Sequence, residues 1–271
     1  MIRSIINNKA TRLFIILGGF FIANALIAEF IGVKIFSLED SLGLPRAGLP
    51  LFGGSFSFHL TAGVLLWPVV FIMTDIINEY YGPKGVRFLS YLAAGLISYA
   101  FLIVFLAIRL SPSEFFSLGQ DVTNANAAFG GVFGQGLWII VGSLVAFLIG
   151  QVLDVLVFHR IKRATGEKRI WLRATGSTLV SQLVDSFVVL FVAFYLGPRL
   201  EGDTDRAWTL HQIAVTGTGN YIYKFIVALL LTPVIYLMHG WIERYLGAAV
   251  AEKMKKSAMG EEPEVNVPTA G

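Results

Sequence analysis

The chain has 271 residues, of which 55% are hydrophobic and only 14% charged, with no cysteine, whereas a water-soluble domain carries about a quarter charged residues. A mean hydropathy of +0.70 identifies a polytopic membrane protein, and the missing cysteine excludes disulfides and thiolate metal sites. The net charge of +3 reflects topology rather than nucleic-acid binding, because the basic residues concentrate in alternate loops.

A spanning helix needs about 20 mostly apolar residues, and six segments qualify. The first, about 13–36, follows Arg3, Lys9 and Arg12 and imitates a signal peptide as far as Ala23, Asn24 and Ala25. Its hydrophobicity continues to Phe36, so an uncleaved span is expected. A Gly-, Pro- and Ser-rich connection, 41–57, reads as a surface loop, with a re-entrant segment or a helical extension as the alternatives. The remaining spans are expected at about 58–80, 88–110, 137–158, 177–196 and 215–238.

The N-terminus, the 81–87 loop, the 159–173 loop and the C-terminal tail hold 15 of the 21 Lys and Arg residues. That bias places both termini in the cytoplasm. The basic loop Arg160, Lys162, Arg163, Lys168, Arg169 and Arg173 is expected on anionic headgroups, making membrane lipids a partner. The predicted architecture is an all-α polytopic bundle of six transmembrane helices over residues 1–250, followed by a disordered cytoplasmic tail, 251–271.

The informative residues are the polar ones inside these spans. Asn24 lies near the middle of the first. The second ends with Asp75, Asn78 and Glu79 on one helical face, below Pro68, whose missing N–H frees the Val64 carbonyl and predicts a kink. The fourth carries Gln151 and Asp154, the fifth Gln182 and Asp185, so one Gln-x-x-Asp pattern occurs twice. Gly142, Ala146, Gly150 and Asp154 recur every four residues, which predicts close approach of a neighbouring helix and places Asp154 in that interface. Thr178, Ser181, Gln182 and Asp185 form one stripe. In the sixth span Lys224 follows Asn220 by one turn, ahead of Pro233.

A carboxylate at a helix centre costs about 2.5–3.5 kcal/mol on insertion scales, and one cation, Lys224, cannot pair with Asp75, Asp154 and Asp185 together. Some of these acids are therefore expected to be protonated, solvated in a cavity or facing a ligand. Asp185 is expected near the midplane, with Asp154 about two turns nearer the cytoplasm and facing Asp75. Bland roles compete. Ser and Thr hydroxyls bond helix to helix for about 0.6 kcal/mol, Glu79 suits the interface, and Glu29 suits either the interior or the outer surface. His59, His159, His211 and His239 lack metal-ligand spacing, so neither a metal nor a cofactor is expected.

Several stretches together resemble a known family. They are Ala23-Asn24; Trp67-Pro68 leading to Thr74-Asp75, Asn78-Glu79 and Gly82; Gly150-Gln151 with Asp154 and Phe158; Trp171 and Arg173 with Ser177, Thr178, Gln182, Asp185 and Ser186; and Tyr221, Lys224 and Pro233. The chain resembles the queuosine precursor transporters, six-span bacterial proteins also grouped under vitamin uptake. Glu29 is not among the matching residues. The resemblance implies import of a 7-deazaguanine, the cyano (preQ0) or aminomethyl (preQ1) base, across the inner membrane for tRNA queuosine modification. A guanine-like edge presents a ring N–H beside an NH2 group, and a carboxylate accepts both. Amides suit the ring carbonyl, and an aromatic ring covers the flat face.

On that reading Asn24, Asp75, Asn78, Glu79, Gln151, Asp154, Gln182, Asp185 and Lys224 are the candidate substrate-binding residues. Coupling to protons or sodium and a homodimeric assembly are compatible with the pattern. The alternatives are a substrate-binding membrane subunit of an ATPase-energised uptake system and an intramembrane aspartyl hydrolase. The hydrolase is disfavoured because Gly217, Thr218, Gly219 and Asn220 place an amide where that chemistry needs an acid. A transporter rather than an enzyme is expected.

Overall fold

The computed structural model describes residues 8–32, 34–45, 48–51, 54–56, 58–119, 122–134, 137–165, 170–202 and 204–259. Five helices among them are long and apolar enough to cross a membrane, and short strands occupy only the connection after the first. The molecule is an all-α membrane bundle. Large apolar side chains such as Phe20, Leu102, Leu156 and Leu230 are exposed on its flanks, as a hydrocarbon solvent requires.

Helix α1 (Lys9–Ile31) begins where the Asn8 side chain accepts from the amides of Ala10 and Thr11 at 3.0 and 3.2 Å, satisfying two otherwise orphaned donors. It stops at Gly32, although the apolar run continues to Phe36. The continuation contains β1 (Ile35–Ser37), α2 (Leu38–Leu42), an antiparallel pair β2 (Leu49–Leu51) and β3 (Gly54–Phe56), and β4 (His59–Thr61). Strand β1 pairs with β4, Phe36 opposite Leu60, so β-rich residues at both ends of the connection close it back on itself.

Helix α3 (Trp67–Ile108) has 42 residues. Straight, it would measure about 60 Å, twice the ~30 Å hydrocarbon core. It is not straight. Gly82 adopts φ 68° and ψ −174°, a backbone region that glycine enters without penalty, and Pro83 then opens a second limb at a position where no N–H is needed. Helix α1 reports the reversal. The Tyr81 hydroxyl donates to the Ala10 carbonyl at 2.6 Å, while Gly63, just ahead of α3, abuts the Ala28 carbonyl with no room for a side chain. The first limb, 67–81, therefore runs antiparallel to α1. In the second limb, 83–108, Leu89 meets Gly18 and Phe101 lies 5.4 Å from Phe30, ring to ring, which makes it parallel to α1. Pro68 does not kink this helix as the sequence suggested. It sits in the first turn, where proline is tolerated, and the helix starts there.

After α4 (Ala125–Phe133), helices α5 (Leu137–Thr165) and α6 (Ile170–Leu190) form a tight pair. A side chain on Gly142 would lie 3.0 Å from the Val189 carbonyl, and Gly150 faces Asp185 and the Ser181 carbonyl. The four-residue stripe of small groups is thus the contact surface of α5 on α6. A π-helical turn (Phe191–Leu196) and α7 (Gly197–Leu200) continue α6. Helix α8 (Leu210–Leu246) opens with a capping box between Thr209 and Gln212.

Residues 251–258, expected to begin a disordered tail, are helical: α9 (Ala248–Ala258) follows Gly247 (φ 88°). The reason is an apolar face. Ala251 and Met254 are buried, Ala258 packs on Gly82, and Lys255 pairs with Glu243 at 2.6 Å. The rest of the tail, 260–271, lies outside the described residues. The start of α1, the Gly82 reversal, the end of α8 and α9 meet at one end of the bundle, where the Arg12 side chain donates to Tyr245 at 2.5 Å.

Candidate functional site

A small cavity lies between the first limb of α3, α6 and α8. Helical periodicity brings its lining together. Pro68, Phe71, Ile72 and Asp75 share a face of the first limb. Thr175, Thr178 and Gln182 share one of α6, and Lys224, Ala228, Leu231 and Ile235 share one of α8. The Thr175 and Thr232 hydroxyls, 3.2 Å apart, tie α6 to α8 beside it. Trp67 and Phe71 supply aromatic wall, their rings 6.4 Å apart.

The wall is mostly apolar, so its few polar atoms stand out. Asp75 is buried, with the Thr178 side chain beside it. Its Oδ1 has no hydrogen-bond partner, and neither has the buried Nε2 of Gln182. Lys224 donates to Asp185 at 2.5 Å, and both side chains retain some exposure, 13% and 21%. Two residues of the lining, Asp75 and Gln182, therefore carry a buried acceptor and a buried amide donor without partners, and a third, Lys224, is already neutralised by Asp185. Unsatisfied buried polar atoms each cost about 1–3 kcal/mol, and a ligand carrying a donor for Asp75 and an acceptor for Gln182 would recover that loss.

The other sequence candidates lie elsewhere. Asn24 donates to the Phe20 carbonyl of its own helix at 2.8 Å and does not line the cavity. The two Gln-x-x-Asp patterns have different surroundings. Gln151 accepts from Thr74 and Ser90, each at 3.3 Å, which ties α5 to both limbs of α3. Asp154, fully buried, receives the Ser181 hydroxyl at 3.5 Å and lies within electrostatic reach of Asp75. Gln182 and Asp185 are the pair that reaches the cavity region.

Below Asp75, toward the end where the helix termini gather, Asn78 bonds His159 Nε2 at 2.9 Å. Glu79 accepts from Arg173 at 2.6 Å and meets Lys162 at 3.3 Å. All three charged side chains are at most 1% exposed. Lys162 and Arg173 thus leave the set of basic residues expected on lipid headgroups, because a buried carboxylate draws both into the protein. Glu29 is buried and hydrogen-bonded by the Ser143 hydroxyl, which makes it interior rather than superficial. Among the described residues no three His, Asp or Glu side chains converge to hold a metal ion.

Sequence reasoning missed the cavity's threonine pair and the partners of Glu79. Thr175 lies three residues before Thr178, at the same helical spacing as the rest of the α6 stripe, so it could have been found. The pairing of Lys162 and Arg173 with Glu79 depends on three separate helices and left no local signal.

Residues 61–238 match the family model described as "Putative vitamin uptake transporter", a stretch that contains every cavity-lining residue. A Bacillus subtilis (strain 168) protein named "Probable queuosine precursor transporter" is 31% identical over 67% of this chain and 72% of its own. A Haemophilus influenzae protein of the same name is 28% identical over 92% of this chain and 97% of its own. The Escherichia coli (strain K12) "Queuosine precursor transporter" is 29% identical over 74% and 81%. No solved structure matches the chain.

Proposed function

The chain belongs to the family of queuosine precursor transporters grouped under vitamin uptake, and on that premise we propose that it imports a 7-deazaguanine, preQ0 or preQ1, across the bacterial inner membrane. The observation that carries the reading is the pair of unpartnered polar atoms, Asp75 Oδ1 and Gln182 Nε2, on two residues that line one apolar cavity. In the bound state Asp75 accepts the ring N–H and the exocyclic NH2 group, Gln182 donates to the ring carbonyl, and Trp67 or Phe71 covers the base. A carrier needs no more than this. It must recognise the base, release it, and perform no chemistry on it.

Transport also requires that the cavity open to each side in turn. The buried cluster of Glu79, Arg173 and Lys162 lies one helical turn below Asp75 and closes that end of the bundle. We assign this end to the cytoplasm, because Lys9, Arg12, Lys84, Arg160 and Arg163 gather there and basic residues favour the inner leaflet. For the base to leave inward, the cluster must part into water.

The test is salvage. In cells unable to make 7-deazaguanines, the expressed chain should restore queuosine in tRNA when preQ0 or preQ1 is fed at low concentration, and the more effective base is the substrate. Absence of queuosine with both bases, with the protein present in the membrane, would overturn the assignment.

A further inference from the structure

A second opening lies at the end of the bundle where the termini gather, separate from the cavity. It is an open groove bordered by the start of α1, the Gly82 reversal, the beginning of the second limb of α3, the last turns of α5, and α9. Its chemistry changes along its length. Lys84 and Arg87 from the second limb and Arg160 and Arg163 from α5 form a basic rim, while Val152 and Leu156 of α5 continue as an apolar floor. No carboxylate lines it among the described residues. The first turn of the second limb, at Pro83, also borders the groove, adding the positive end of a helix dipole.

We infer that this groove seats one anionic phospholipid, with its phosphodiester on the basic rim and an acyl chain along the α5 floor. Charge complementarity selects an anion. The apolar floor, with Val152 and Leu156 44% and 62% exposed, continues from the rim to hydrocarbon depth and suits an anion that carries a hydrocarbon tail. The geometry matches membrane depth as well. Arg160 lies eight residues beyond Val152, about 12 Å along the helix, so the charge sits at headgroup level while the floor runs into the hydrocarbon. A bilayer's own phospholipids present their two chemistries in that order. The inference does not depend on which molecule the protein transports.

The full chain, purified in detergent and exchanged with equal amounts of phosphatidylglycerol and phosphatidylcholine, is examined by native mass spectrometry. Phosphatidylglycerol should be retained roughly tenfold better, given Arg87, Arg160 and Arg163 near the headgroup. The variant Arg87→Gln/Arg160→Gln/Arg163→Gln should lose that preference. Val152→Trp keeps every charge but fills the floor, and should lose phosphatidylglycerol retention too. Equal retention of the two lipids by the parent chain would overturn the proposal. So would undiminished phosphatidylglycerol retention by Val152→Trp, because the lipid would then be held on the surface by charge alone. If the triple variant does not fold, the parent and Val152→Trp decide the matter.

Discussion

Asp75 and Asp185 are acids of the same bundle with opposite circumstances. Asp185 has a cation, Lys224, at 2.5 Å, whereas Asp75 has a hydroxyl, Thr178, and an oxygen with no partner. On the proposed reading Asp75 is the acceptor for the base, and Asn puts a neutral amide in place of the charged carboxylate. Asp75→Asn should lower uptake about ten- to a hundredfold, the worth of a hydrogen bond to a charged group, with membrane expression unchanged in an immunoblot. Gln182→Leu removes a neutral donor and should cost roughly two- to tenfold in the same uptake assay. Asp185→Asn acts differently, because it strands Lys224. Its loss of uptake should be partly recovered by Lys224→Met in the double variant, which restores charge balance. Equal, unrescued losses would show that Asp185 contacts the base directly.

At the scale of the element, two glycines carry the architecture. Gly82 turns α3 back on itself with φ 68° and has the Ala258 carbonyl 3.0 Å from where a Cβ would stand. Gly82→Ala should destabilise by about 1–3 kcal/mol from the backbone alone, read as a lower unfolding midpoint in detergent. Gly142 allows α5 to meet the Val189 carbonyl of α6. Gly142→Leu should force the pair apart, with an overpacking cost of about 1–3 kcal/mol and a loss of uptake, since α6 carries Thr178, Gln182 and Asp185. The stripe of small residues was legible in the sequence because helical spacing is a local property. The break at Gly82 was legible only as a short basic loop between two apolar segments. Helix α9 was hidden, because its apolar face is just Ala251 and Met254 and its burial depends on Tyr80 and Gly82, far away in the chain.

For the whole molecule, the decisive feature is the Glu79, Arg173 and Lys162 cluster between the cavity and one end of the bundle. Removing one partner of a buried ion pair typically costs about 3–5 kcal/mol, while replacing the whole cluster by apolar residues is often neutral. Glu79→Gln should therefore lower the unfolding midpoint sharply. The triple variant Glu79→Leu, Lys162→Met, Arg173→Met should recover most of the stability but not uptake in liposomes. Charged side chains can part into a water-filled vestibule, whereas an apolar plug cannot do so without exposing hydrocarbon to water. Restored uptake in the triple variant would remove the cluster from the transport cycle.

The sequence by itself determined the membrane class, the helical content, the faces on which polar groups repeat and the family, because hydropathy and helical periodicity act over a few neighbouring residues. Tertiary structure alone decided what surrounds each repeat. It turned Gln151 toward Thr74 and Ser90, set Gln182 in the lining of a cavity, drew Arg173 and Lys162 inward to Glu79, and gave Lys224 to Asp185 rather than Asp75. Each outcome is a choice of partner between distant segments, and partner choice depends on how helices are placed around one another, which local spacing does not encode.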